Sequence, residues 1–289
     1  MLIKNKILFS LLIGLSFLLV SSADAFSISP LKYTISLNPG DDKDLVVVVK
    51  NDSSEDKEYQ MTVTGVQQDD QGRPIFKPNS DIAESWVKFK SEKTILKNNE
   101  KKDFVFTITI PKNAPPGAHY LGLGVQENNN KNIGGRLVTI LMLQVAGTAN
   151  ESLVLEKFSS SKKYFFNKNL IYFLQIKNTG NVDLLVQAKM QIYNYENKII
   201  DSSVINLGNK LFSHSNRNAQ LQSFIGEKMF WPGLYQSVIT INYGLTNQQI
   251  IGSMNFWYWP VWFLSSVVVV VILVVLIFMY IRKRHEKME

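Results

Sequence analysis

One run of this chain leaves its backbone a single choice. From Val261 to Ile281 the sequence reads VWFLSSVVVVVILVVLIFMYI, 21 residues without a charge. About 20 apolar residues suffice to cross a bilayer. In lipid every N–H and C=O must be bonded within the segment, so this run is expected to be a helix despite its β-branched valines. FWYWPVW precedes it and RKRHEKME follows it. Trp257, Tyr258, Trp259 and Trp262 read as an aromatic belt at the headgroup level. Arg282, Lys283 and Arg284 open a basic tail, residues 282–289, expected on the cytoplasmic side.

The other end is also apolar, but shorter. Lys4 and Lys6 precede the run ILFSLLIGLSFLLV, which leads to Ala23-Asp24-Ala25. A positive start, a short apolar stretch and an A-x-A site make a signal peptide over residues 1–25. An uncleaved N-terminal anchor is the other reading. Together the two ends predict a single-pass membrane protein with its N-terminus outside and its C-terminus in the cytoplasm. Residues 26 to about 256 would then form an extracellular part.

Composition narrows what that part does. Six of the chain's 31 Lys and Arg and three of its 24 acidic residues lie in the two ends, so the part between carries only about +4. No basic block is present, which argues against nucleic acid as a partner. The chain has no cysteine, so its domains must stand on their apolar cores without disulfides.

Between the ends, short alternating segments follow one another, separated by turn signals. Phe104, Phe106, Ile108 and Ile110 alternate with Val105, Thr107 and Thr109. Tyr59, Met61 and Val63 alternate with Thr62 and Thr64. Val46–Val49 is a continuous β-branched run suited to a core strand. Asn38-Pro39-Gly40 marks a turn, and Asp70-Gln71-Gly72 the tip of a hairpin within a loop-like insertion over residues 67–85. Trp86, Val87 and Phe89 would dock that insertion on the core.

The same phrases then occur twice. NAPPGAHYLGLGV contains Pro116, Gly117 and Tyr120; MFWPGLYQSVITI contains Pro232, Gly233 and Tyr235. Proline fixes φ and ends a segment, glycine reverses the chain, and the tyrosine buries its ring while its hydroxyl bonds nearby backbone. Each copy is read as a structural corner that opens a late strand. Lys50-Asn51 and Lys177-Asn178 likewise each end a strand before a polar turn. The expected fold is all-β: two tandem immunoglobulin-like β-sandwiches, residues 26–149 and 150–256, followed by one transmembrane helix over 261–281.

FSISPLKYTISLNPGDDKDLVVVVKN, with ILKNNEKKDFVFTITIPKNAPPGAHYLGLGV further on, resembles the N-terminal domain of WxL-interacting proteins. These are Gram-positive surface proteins with a signal peptide, two immunoglobulin-like domains, a membrane helix and a short basic tail. The order matches over nearly the whole chain, although the chain is shorter than is usual there. The resemblance implies peptidoglycan binding by the first domain and binding of host or partner proteins by the second. It assigns no site residue.

No catalytic constellation is legible. His119 lies inside the first corner, His214 in the polar stretch SHSNRN and His285 in the tail. There is neither a nucleophile elbow nor a phosphate loop. Asp41, Asp42 and Asp44, and Asp69 with Asp70, are acidic clusters whose spacing favours solvated turns over calcium. No catalytic residue, cofactor, metal or small-molecule substrate is therefore expected. Trp86 and Trp231 either stack on sugar rings or pack in a core. Binding residues favour loops, which points to Asp69, Asp70, Gln71, Arg73 and Trp86 on the insertion. The expected partner is a cell-wall polymer or another surface protein. The rival reading is a stalk or accessory subunit of a membrane complex.

Overall fold

In the computed structural model, both Pro-Gly phrases open the penultimate strand of a β-sandwich. The structure describes residues 26–285 apart from 90, 129–134, 168, 209 and 225–229. The expected signal peptide and residues 286–289 lie outside the described residues. The chain divides into two compact units. The first takes the chain up to Val66 with Phe76–Pro115 and His119–Ala146; the second takes Gly147 onward with Gln67–Ile75 and Pro116–Ala118.

The first sandwich is built from β1 (Phe26–Ser29), β2 (Lys32–Leu37), β3 (Asp42–Asn51), β4 (Lys57–Gln68), β5 (Pro74–Lys77), β6 (Val87–Phe89), β7 (Lys93–Leu96), β8 (Lys101–Thr109), β9 (Gly117–Glu127) and β10 (Arg136–Val145). One sheet has the order β1-β3-β8-β6; the other runs β2-β10-β9-β4-β5, with β7 also on β4. The opening strand changes sheets at the cis Ser29–Pro30 peptide. β1 pairs antiparallel with β3, whereas β2 pairs in parallel with the closing strand β10.

The second sandwich repeats this order with fewer strands. It comprises β11 (Leu153–Ser160), β12 (Tyr164–Phe165), β13 (Asn169–Asn178), β14 (Val186–Tyr193), β15 (Ile199–Ile205), β16 (Asn216–Phe224), β17 (Gly233–Tyr243) and β18 (Gln248–Tyr258). Its sheets are β11-β13-β16 and β12-β18-β17-β14-β15. The opening strand again changes sheets, and β12 pairs in parallel with the closing strand β18. One helix, α1 (Val261–His285), follows two residues after β18. It is long and apolar enough to cross a membrane.

Strand periodicity places the cores. Leu45, Val47 and Val49 of β3 face inward, as do Phe104, Phe106 and Ile108 of β8, all buried in a single apolar cluster. The four-valine run of β3 is not buried on both faces: Val46 and Val48 are half-exposed, because this sheet has one outward side. β9 is the strand buried on both faces, from His119 to Val125. Its outward positions are Gly122 and Gly124, and a Cβ there would lie 2.8 Å from Val138 Cγ1 or 2.3 Å from Thr62 Oγ1. The glycines let neighbouring side chains close over the strand. The second sandwich instead has two apolar clusters, bordered by the shared side chains of Phe158, Ile205 and Leu221.

A deeper repeat joins the two halves. Asn51 and Asn178, each the last residue of its strand, are fully buried. Asn51 Nδ2 donates to the carbonyls of Glu55, Leu96 and Lys97 at 2.8, 3.1 and 3.1 Å. Asn178 Nδ2 donates to those of Val182, Leu211 and Phe212 at 2.8, 3.2 and 3.0 Å. Their backbone N–H groups donate to Glu100 and Ser215 respectively, each at 3.0 Å. Each amide thus pins a tight turn, Lys97–Glu100 or Phe212–Ser215, that leads into β8 or β16. In both turns the third residue has left-handed φ: Asn99 at 61° and His214 at 57°. His214, in the polar stretch SHSNRN, is exposed and occupies a left-handed conformation that non-glycine residues seldom adopt.

Candidate functional site

The insertion is more ordered than its loop-like sequence implies. Its tip is a hairpin turn: Gly72 N donates to Asp69 O at 2.9 Å, with Gly72 at φ 83°. Asp69 Oδ1 accepts from the backbone N–H of Gln71 and Arg73, while Oδ2 accepts from Arg73 Nε at 2.7 Å. These bonds, first that from the Arg73 N–H, hold the Asp69 carboxyl below its usual range. Asp70, Gln71 and Arg73 are exposed. The tip is a self-braced polar turn.

After the tip the chain forms β5 and then a short 3-10 helix, Ile82–Trp86, with Asp81 as its N-cap. A reciprocal capping box links Asp81 and Glu84. Asp81 also accepts from His119 Nδ1 at 2.8 Å and from the Tyr120 N–H at 3.1 Å. Burial pushes the Asp81 carboxyl up, but the bonds from His119, Ala83 and Tyr120 outweigh it, so the carboxyl stays below its ordinary value. Trp86 is only 6% exposed and meets His119 edge-on, with ring centroids 4.9 Å apart. This corrects the assignment of Trp86 to a binding surface: its ring packs in the core, and Asp81, His119 and Trp86 latch the insertion onto β9. Sequence reasoning passed over Asp81, although its Asp-x-x-Glu spacing is a capping signature.

Both corners form. Gly117 and Gly233 have φ 146° and 153°, values that favour glycine. Tyr235 is buried and its hydroxyl donates to the Trp231 carbonyl at 2.8 Å. Tyr120 is buried next to His119. Pro116 and Pro232 each immediately precede the strand that follows the corner.

The membrane end of the second unit regroups the expected belt. Trp257 and Trp259 stack 5.9 Å apart, and Trp259 lies 5.8 Å from Phe263. Tyr258 does not belong with them: it alternates inward, is buried, and packs on Tyr235. Trp262 is joined by two residues far earlier in the chain. Phe230 stacks on it at 5.0 Å and Trp231 meets it edge-on at 6.0 Å. Trp231, read as a core or sugar-stacking residue, is 61% exposed, so it is not a core residue. Arg282 and Lys283 are exposed near the other end of α1, whose last turn includes Arg284.

Among the described residues no group of three or more His, Cys, Asp or Glu is placed to hold a metal ion. Asp41 instead caps the Asn38–Asp41 turn, accepting from Asn38 N at 2.8 Å, and Asp44 accepts from Thr107 Oγ1 at 2.6 Å.

No protein-family model matches the chain, and no curated protein does. Solved structures do resemble it. The class 5 fimbriae chaperone CfaA is 14% identical, covering 82% of this chain and all of its own at a TM-score of 0.43. A chain of the CsuC–CsuE chaperone–tip adhesion subunit complex of Acinetobacter baumannii is 16% identical, covering 68% of this chain and 89% of its own at 0.38. The Escherichia coli chaperone DraB is 11% identical, with 81% and 97% covered at 0.37. The likeness is one of fold: an all-β, immunoglobulin-like arrangement, here ending in one apolar helix.

Proposed function

We propose that this chain is a non-catalytic, membrane-anchored cell-surface protein of the WxL-interacting type, whose sandwiches bind another surface protein or a cell-wall polymer. Helix α1 anchors it, with the basic tail in the cytoplasm and the sandwiches outside. A protein partner is the better supported of the two. The observation that carries it is the edge of the five-stranded sheet. β15 is its last strand, and no further strand among the described residues covers its outer side. It presents Ile199 at 53% and Val204 at 83% exposure and contains no Pro, Lys or Arg; its one charge, Asp201, lies opposite Ile192 at the register shift against β14, which leaves Ser202–Ile205 as the regular part of the edge. An extended segment of a partner adds to such an edge through backbone hydrogen bonds, while alternate side chains set specificity.

The test uses the full chain in native membranes with a photo-crosslinking residue at Val204, against the same residue at the exposed turn position Leu245. A discrete adduct at Val204 alone, lost when Ile199→Lys is added, supports the edge. Equal or absent crosslinking at both positions overturns it. Sedimentation of the detergent-solubilised chain with insoluble peptidoglycan, across salt concentrations, tests the polymer arm. Saturable co-sedimentation would move the weight to the wall.

A further inference from the structure

The belt residues next to the span were legible in the sequence; the aromatic residues that join them from other loops were not. Three segments of the second sandwich meet at the end of the sheet from which α1 leaves. β12 lies beside the last residues of β18, with Tyr164 opposite Trp257 and Phe165 opposite Tyr258. The start of β17 lies on the other side, with Gly233 opposite Tyr258 and Leu234 opposite Trp257. Pro260 and α1 follow directly.

At this end the side chains are large, apolar and uncovered. Tyr164, Phe166, Phe230, Trp231 and Leu234 are all exposed, as are Trp257 and Trp262 of the belt itself. Lys162 and Lys163 are exposed beside them. The patch is continuous with the span, because Phe230 and Trp231 pack against Trp262, the second residue of α1. Amphipathic aromatic rings with nearby lysines suit the headgroup layer, where rings sit at the apolar boundary and ammonium groups meet lipid phosphates.

We propose that the 161–167 and 230–234 segments dock in the lipid–water interface of the membrane that α1 crosses, so that the second sandwich rests on the bilayer by its end. The occupant of the patch is the lipid headgroup region. The docking restrains how the sandwich tilts about the short Trp259-Pro260 link, which a single span by itself leaves free. It rests on the reading of α1 as a span.

The opposite end of the same sheet supplies a control. The turn that joins β17 to β18 carries Leu245, 90% exposed. Strands of eleven residues separate it from the docking end, about 35 Å at the usual rise per residue. The chain contains no cysteine, so single-cysteine labels are unambiguous.

The full chain is reconstituted in vesicles of phosphatidylcholine with phosphatidylglycerol and labelled with a nitroxide at one site per sample. The substitutions are Trp231→Cys, Phe166→Cys, Leu245→Cys and Ile272→Cys. Collision with an aqueous paramagnetic reagent and with oxygen gives each depth. The expected result is a 245 label fully accessible to the aqueous reagent, a 272 label in the hydrocarbon core, and labels at 231 and 166 several-fold less accessible than 245, at headgroup depth. The label at 166 leaves Trp231 in place, so disturbance of the ring cluster cannot account for a shielded reading there. Labels at both 231 and 166 as accessible as that at 245, with 272 in the core, overturn the docking while leaving the anchor intact. A water-accessible 272 label overturns both.

Discussion

The two sandwiches solve one problem with one residue and then part company. In each, a fully buried asparagine ends a strand and ties its side-chain amide to three carbonyls, one four residues on and two at the start of a distant turn, from its first residue and the residue before it. The oxygen side of the amide differs. Asn178 Oδ1 accepts from the Gly180 N–H at 2.9 Å. Asn51 Oδ1 accepts from Ser53 N, Ser53 Oγ and the Tyr59 hydroxyl at 3.1, 2.7 and 3.1 Å. The first sandwich thus draws a core tyrosine into its knot and keeps one apolar cluster. The second divides its core, and between the halves the hydroxyls of Tyr172 and Ser237 meet at 2.7 Å, both buried. The two sandwiches thus share the amide, its turn and the Pro-Gly corner, and differ in how the core is filled.

The sharpest way to break this comparison is to remove the amides. Asn51→Ala and Asn178→Ala should each remove a buried amide and its three bonds to carbonyls, at about 4 and 3 kcal/mol respectively. Asn51 is the larger because its Oδ1 accepts three hydrogen bonds and that of Asn178 one. Denaturant titration of the full chain in detergent, with hydrogen exchange to assign each loss to its own sandwich, reads the difference. A larger cost at Asn178 would refute the ranking.

Trp86→Ala tests the latch that the second sandwich lacks. Removing this buried ring should cost about 3 kcal/mol. Exchange should rise over residues 74–89 while the second sandwich stays protected. Unchanged protection of the insertion would mean that its strands hold it without the ring.

Tyr172→Phe sharpens the core comparison. It leaves the buried Ser237 hydroxyl without its partner, and about 1.5 kcal/mol should be lost from the second sandwich alone. A neutral result would show that the divided core does not depend on this bond.

The Asp81 latch should also give the first sandwich its own acid sensitivity. Its folded carboxyl sits below the ordinary value of 3.8, so the folded state binds this proton more weakly than the unfolded chain does. The stabilisation is complete above that ordinary value and is lost as pH falls through the lower folded value. Asp81→Asn should lower stability at neutral pH by about 1 kcal/mol and flatten the acid limb for the first sandwich. A parallel acid limb in the variant would reassign the pH dependence to other groups.

The smallest effect runs the other way. Thr62 Oγ1 is buried without a hydrogen-bond partner among the described residues. Thr62→Val should raise the denaturation midpoint, worth about 0.5 kcal/mol, since it removes an unmet polar group at nearly constant volume. A lower midpoint would indicate that the hydroxyl is satisfied by solvent.

What the sequence by itself determined is what depends on neighbours within a few residues. Alternation placed the inward faces of β4 and β8, because side chains alternate along any strand. The Pro-Gly phrases marked β9 and β17, because those residues restrict φ wherever they occur. Twenty-one uncharged residues announced α1, because lipid offers the backbone no other partner. Only the tertiary structure decided which of two isolated tryptophans is buried. Trp86 faces His119, 33 positions away, and Trp231 faces Trp262, 31 positions away, and local pattern carries no information about such contacts. The inward turn of Tyr258 was open to a parity count, since Phe256 and Tyr258 alternate with Trp257 along β18. The left-handed turn at His214 was not, because no glycine or asparagine marks it. Its conformation is imposed from outside the turn, by the amide of Asn178 reaching back to hold the carbonyls that begin it.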